Sequence, residues 1–148
     1  MVGAVPQATP LQKHRFEVIK EYGGCVPCLL MGHKDVHATI EHVTESGRRI
    51  GKGNEQHDNT VGFCGYHHFG HCWHGLTKRL MIKMVGPSLA HGRKSFEEHF
   101  GPEETLVQLQ DLIVHTYDET PWESYNMPKH VVAEVRELWI EQNREEQA

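Results

Sequence analysis

The sequence predicts a mixed α+β fold, in which a strand–loop–strand–helix unit is stapled by a metal ion and flanked by amphipathic helices. Three observations predict it. Two ligand pairs, Cys25-Val-Pro-Cys28 and Cys64-Gly-Tyr-His67, stand about forty residues apart, the pattern with which a tetrahedral Zn²⁺ ties two turns into one knuckle. Between them lie two short runs rich in β-branched residues, 36–44 and 60–63, which read as strands. Around them, apolar residues recur at helical spacing.

Taken in order, residues 1–10 are expected to be disordered. Residues 11–22 carry Leu11, Phe16, Val18 and Ile19 at a loosely helical spacing, and Gly23-Gly24 ends that helix just before Cys25. The strand over 36–44 holds Glu41 and His42 near its end. Residues 44–56, with Gly47, Gly51, Gly53, Arg48, Arg49 and Lys52, read as a mobile basic loop. After the second strand, Cys64 opens a helix that carries His67 and His68. In residues 70–90, Leu76, Leu80, Met81 and Met84 have helical spacing stopped by Gly86-Pro87. A core helix is expected there, with Lys78, Arg79 and Lys83 solvated opposite; a substrate-facing flap is the alternative. Residues 95–100 make one or two helical turns. Pro102 then starts a helix to about residue 117, with Leu106, Leu109, Leu112 and Ile113 inward. Residues 121–127 link it to a last amphipathic helix over 129–142 carrying Val132, Val135, Leu138, Trp139 and Ile140. The expected organisation is one zinc-stabilised domain over 11–120, with 121–148 a linker and helix packed on it.

Composition narrows the function. The chain has 148 residues, 38% hydrophobic and 24% charged, ordinary for one soluble domain. It contains no long apolar run and no basic-then-apolar leader, so neither membrane insertion nor export is expected. Cysteines in Cys-x-x-Cys and Cys-x-x-His form then read as metal thiolates in a reducing compartment. The net charge of −5 is unevenly spread: up to Lys94 there are 12 Lys+Arg against 7 Asp+Glu, a balance of +5, and from Ser95 onward 3 against 13, a balance of −10. The basic clusters Arg48-Arg49-Lys52, Lys78-Arg79-Lys83 and Arg93-Lys94 flank the metal-ligand stretch, a distribution that draws a polyanion to that half.

The residues interleaved with the zinc pairs have hydrolytic chemistry. Hydrolysing a phosphodiester needs a base for water and a cation for the charge that builds on the phosphate. His42 can be the base, since its ordinary pKa of about 6.5 leaves it neutral at working pH. Glu41 and His68 can hold the cation and leave most of its shell open to water and phosphate. Asn59 can hydrogen-bond the base or pin the loop behind it. His57 and His91 are further candidates, His57 as the next choice of catalytic base and His91 for the metal. His33, His37, His71, His74 and His99 read as surface or satisfied core residues.

The order Glu41-His42, Asn59, His68, threaded through Cys25, Cys28, Cys64 and His67, resembles the HNH (ββα-metal) endonucleases. The resemblance is closer to one branch, the phage Ref-type RecA-dependent nucleases, and covers roughly residues 23–112. It rests on Gly24-Cys25-Val-Pro-Cys28, Glu41-His42, His57 seven residues before Cys64, Cys64-Gly-Tyr-His67-His68, and His91-Gly-Arg-Lys-Ser-Phe96-Glu97. It implies a zinc-stapled ββα-metal core and a metal-dependent endodeoxyribonuclease with a His general base. Implied too are DNA and the RecA filament as partners, and the cytoplasm of a bacterium or phage-infected host as the location. Glu41 stands where that branch has His, which favours a harder cation such as Mg²⁺ or Mn²⁺, and residues 69–90 make a longer segment than the pattern has. Arg48, Arg49, Lys52, Arg93 and Lys94 are the expected DNA contacts. A non-catalytic zinc module that binds nucleic acid or protein is the alternative.

Overall fold

Helix α1 (Pro10–Val18) begins where the sequence supplies a full N-terminal cap. Thr9 accepts from the Gln12 N–H, the Gln12 side chain accepts from the Thr9 N–H, and Pro10 occupies the first turn. The computed structural model describes residues 6–147, with side chains through 144. Of the N-terminus expected to be disordered, residues 1–5 lie outside that range, and Thr9 and Pro10 belong to α1. The helix runs on through a π turn, Ile19–Gly23, in which the Gly24 N–H reaches back to the Ile19 carbonyl. Gly24 then takes φ +73°, and a Cβ there would sit 2.7 Å from the Val36 carbonyl oxygen.

A short helix, α2 (Val26–Leu30), follows, and the sequence reading did not foresee it. Its first turn is favoured by Pro27, and all five residues are buried. Strand β1 (Thr39–His42) is shorter than the 36–44 expected, because the Val36 carbonyl is taken by the Cys25 N–H of the knuckle. It pairs antiparallel with β4 (Thr60–Phe63), Glu41 opposite Val61 and His42 opposite Thr60. The basic loop between them has structure of its own: a hairpin, β2 (Thr44–Glu45) with β3 (Arg48–Arg49), turned by Ser46 and Gly47 at positive φ, then a 3₁₀ turn over Gly53–Asp58.

Helix α3 (Gly65–Phe69) has Cys64 as its N-cap and stops at Gly70, which is left-handed. Helix α4 (Lys78–Val85) buries Met81 and Val85, one turn apart. Leu80 was expected inward and instead is 44% exposed, since a face centred on Met81 and Val85 turns position 80 outward. Helices α5 (Arg93–Phe100), α6 (Glu103–Glu119) and α7 (Lys129–Gln147) complete the chain. The main core joins Phe63 and Val61 of β4 to Phe96, Phe100, Leu106, Leu109 and Ile113 of α5 and α6, with Val131 and Val135 of α7 closing it. Ile140, also expected inward, is 43% exposed. A smaller cluster gathers the three buried cysteines with Tyr66, Met81 and Val85.

One contact seats this core on the sheet. The free edge of β4 is met by α6: the Gly62 N–H donates to Gln110 Oε1 at 2.9 Å. A Cβ on Gly62 would collide with the Gly24 carbonyl oxygen, so glycine there lets the knuckle lie directly on the strands. No helix among the described residues is long and apolar enough to cross a membrane.

Candidate active site and metal centres

Cys25 and Cys28 reach the first centre from either end of the α2 turn, and Cys64 and His67 from the first turn of α3. All four are buried and their donor atoms lie within 4.8 Å of one another. His67 Nδ1 is 3.4 Å from Cys25 Sγ, 3.4 Å from Cys28 Sγ and 3.3 Å from Cys64 Sγ, and Cys28 Sγ is 3.8 Å from Cys64 Sγ. With Zn–S of about 2.3 Å and Zn–N of about 2.0–2.1 Å, the edges of a zinc tetrahedron are about 3.8 Å between sulfurs and about 3.5 Å from sulfur to nitrogen. The quartet fits a zinc ion. His67 Nε2 donates to the Val85 carbonyl at 2.8 Å, which leaves the Nδ1 lone pair facing the thiols. Burial pushes the Cys25 thiol up, and the neighbouring thiols do the same to Cys28. Cys64 goes down, favoured as thiolate by hydrogen bonds from Cys25 and Cys28, and the His67 backbone N–H also donates to its sulfur at 3.4 Å. A divalent ion would stabilise all three as thiolates.

On α3 the residue after His67 leaves this centre. His68 Nε2 lies 2.5 Å from Glu41 Oε2 on β1, and Phe69 stacks on the His68 ring at 3.8 Å. Burial first, then the negative charge of Glu103, pushes the Glu41 carboxyl up to about 7, against the opposing pull of Arg49 and Arg93. Burial lowers His68. Carboxylate and imidazole thus meet between β1 and α3, joined by a hydrogen bond.

His42 sits in a different environment. Its Nε2 is 2.9 Å from His57 Nδ1, and His57 Nε2 is 2.7 Å from the Pro6 carbonyl oxygen. A carbonyl only accepts, so His57 donates through Nε2. In the neutral ring Nδ1 must then accept, and His42 donates to it through Nε2. The free lone pair of His42 is on Nδ1. Phe16 of α1 packs edge-on against both rings. Burial, with the Arg49 charge and His57, pulls His42 down to about 4, so it is an unprotonated base at neutral pH.

Asn59 does not touch the base: its Nδ2 donates to the Ile50 and Glu55 carbonyls at 3.2 Å each, closing the loop behind His42. His91 lies elsewhere. Its Nδ1 accepts from the Ser88 N–H, its ring packs on Tyr66, and it lines an open groove with Lys78, Ser95 and His99. Among the described residues, the group of three or more such ligands that gathers is the cysteine quartet, its donor atoms within 4.8 Å of one another. Arg48, Arg49, Lys52 and Lys94 are exposed. Arg93 is engaged inside the molecule: it donates to Thr44 Oγ1 at 2.9 Å and pairs with Glu103 at 3.2 Å and Glu97 at 3.6 Å. The sequence reading passed over Glu103, because an acidic residue in the first turn of a helix is the commonest kind.

Helix α3 thus contributes to two clusters: Cys64 and His67 to a buried quartet fit for zinc, and His68 to the pair with Glu41. Residues 8–114 match the family model described as recombination enhancement, RecA-dependent nuclease. The match spans most of the 148 residues, and the chain belongs to that family. No curated protein and no solved structure matches the chain. Membership supports a nuclease acting in recombination and fits DNA and RecA as partners.

Proposed function

We propose that the chain is a metal-dependent endodeoxyribonuclease with a ββα-metal (HNH) centre formed by β1, β4 and α3, acting on DNA in a RecA-dependent process. The observation that carries this reading is the convergence of Glu41 and His68 beside a His42 already held in one tautomer. Glu41 and His68 would hold Mg²⁺ or Mn²⁺, which when bound neutralises charge developing on the phosphate and on the leaving oxygen. His42 takes the proton of the attacking water on Nδ1. His57 is a positioning residue: by accepting from Nε2–H it fixes the ring and supports the positive charge that forms when Nδ1 is protonated. Asn59 holds the loop that carries His57. Arg48, Arg49 and Lys52 contact phosphate from the hairpin, with Lys94 and the exposed part of Arg93 adding to that surface. The Cys25, Cys28, Cys64 and His67 zinc is structural.

The test separates base from ligands. Single-stranded, duplex and RecA-coated DNA are each incubated with Mg²⁺, Mn²⁺ or EDTA, and cleavage is followed against metal concentration for three variants. His42→Ala is expected to lose about 10²- to 10⁴-fold in rate at every metal concentration. Glu41→Ala and His68→Ala should lose activity through weaker metal binding and recover part of it as metal is raised. Rescue of His42→Ala by metal would make it a ligand, with His57 the next candidate for the base. No cleavage by the intact chain on any of the three DNA forms would leave a non-catalytic zinc module.

A further inference from the structure

Helix α3 ends on an aromatic ring that the scheme above does not use. Phe69 is the last residue of the helix that carries His67 and His68, and it is 56% exposed. Its ring lies on the His68 ring, with centroids 3.8 Å apart and planes 19° from parallel. His71, itself exposed, flanks it at 5.6 Å and 31°. The two histidines together leave more than half of the residue in solvent. An aromatic ring left there forgoes much of the free energy it would supply in a core. The helix does not depend on it for its ends, since Cys64 caps the start and left-handed Gly70 stops it.

Position and charge together indicate what covers the ring. It is stacked on the imidazole whose Nε2 meets Glu41 Oε2, so whatever approaches that pair also approaches Phe69. The half of the chain that holds it, through Lys94, has 12 Lys+Arg against 7 Asp+Glu, which favours a polyanion over an apolar protein surface. Every nucleobase has a π-face, and aromatic side chains hold bases that have left the duplex stack whatever their identity. Within a duplex the same base is already stacked and paired, and drawing it out costs free energy.

We propose that Phe69 is a stacking platform for one unstacked base of the DNA, beside the phosphate that is cut, and that it makes the site select single-stranded over duplex substrate. The base extends the stack already formed by His68 and Phe69. This rests on the reading of Glu41 and His68 as the cation's ligands and of DNA as the substrate. Phe69 is a specificity-determining residue in this scheme, touching substrate and not the cation.

The experiment uses the full chain with His42→Ala in Mn²⁺, so that DNA is bound and not cut. Short single strands carry 2-aminopurine at each position in turn, and stacking is read as loss of its fluorescence. At one position the signal should be quenched. Phe69→Ala should restore it there and weaken single-strand binding by about 5- to 150-fold, Phe69→Trp should preserve both, and affinity for a blunt duplex should hardly change. A strand lacking that one base should bind with Phe69 intact as weakly as the complete strand binds Phe69→Ala, and combining the two changes should cost nothing more. Losses that add in full, or quenching that Phe69→Ala leaves in place, overturn the proposal. Mn²⁺ affinity is measured alongside: if Phe69→Ala loses it and weakens single strand and duplex alike, Phe69 is a brace for His68 and the proposal alone fails. If Glu41→Ala binds Mn²⁺ like the parent, or the intact chain binds no DNA, the reading of the site fails beneath it. Should Phe69→Ala not fold, the strands lacking a base decide, and undiminished binding at every position refutes the platform.

Discussion

Glu41 and His42 are neighbours in the chain, and their surroundings move their protonation in opposite senses. Burial raises the carboxyl to about 7 and lowers the imidazole to about 4. In the proposed scheme the cation is held by Glu41 as carboxylate, and below about pH 7 a proton occupies it, so cation affinity should rise as pH increases through about 7 and level off above. His42 is unprotonated from about pH 4 upward and cannot set that limit. The acid limb of cleavage is therefore expected to move to lower pH as Mn²⁺ is raised, with proton release on Mn²⁺ binding near pH 6. A limb that stays fixed at all metal concentrations would assign it to a base. At this scale the gathering of Cys25, Cys28, Cys64 and His67 was legible in the sequence from the spacing of two ligand pairs, and the pairing of Glu41 with His68 from their place between and after them. What joins them was not. The acceptance of His42 by His57, the reach of Pro6 and the burial of Glu103 depend on contacts 15 to 59 residues apart in sequence, and no local pattern encodes them.

Among the elements, the hairpin β2–β3 turns its charge outward, with Arg48 and Arg49 both exposed. Arg48 and Arg49 lie on a strand and Lys52 just beyond it, so their spacing is fixed to a degree a mobile loop would not give. Neutralising all three should weaken DNA binding and flatten its dependence on salt by up to about three counterions, at about 0.9 per phosphate on duplex DNA. An unchanged slope in a binding titration across salt would transfer the contact to Lys78, Arg79 and Lys83 on α4. The strand pair was readable from its β-branched runs, α6 from its apolar spacing and Pro102, and α3 from the Cys64 and His67 ligand pair. Helix α2 was missed because five residues are too few for a period to register. The outward turn of Leu80 was missed because its helix offers more apolar residues than the core face can take.

Over the whole molecule, the cysteine cluster joins parts that the main core does not. It binds α2 to α3 and, through His67 and Val85, to the end of α4. Structural zinc in small domains contributes on the order of 10–16 kcal/mol, comparable with the entire folding stability of about 5–15 kcal/mol typical of a domain. Cys28→Ala is accordingly expected to be insoluble or molten, with zinc lost and near-ultraviolet circular dichroism flattened; a well-folded, zinc-free variant would remove the quartet from this role. The five residues of α3 are far below the length at which a helix persists alone, about 12–15 residues. They hold their shape because Cys64 and His67 fasten one end, and His68 is the very next residue. If the quartet holds zinc and His68 serves a second cation, as proposed, the first centre would set the second in place, and stripping zinc should abolish cleavage that added magnesium does not restore.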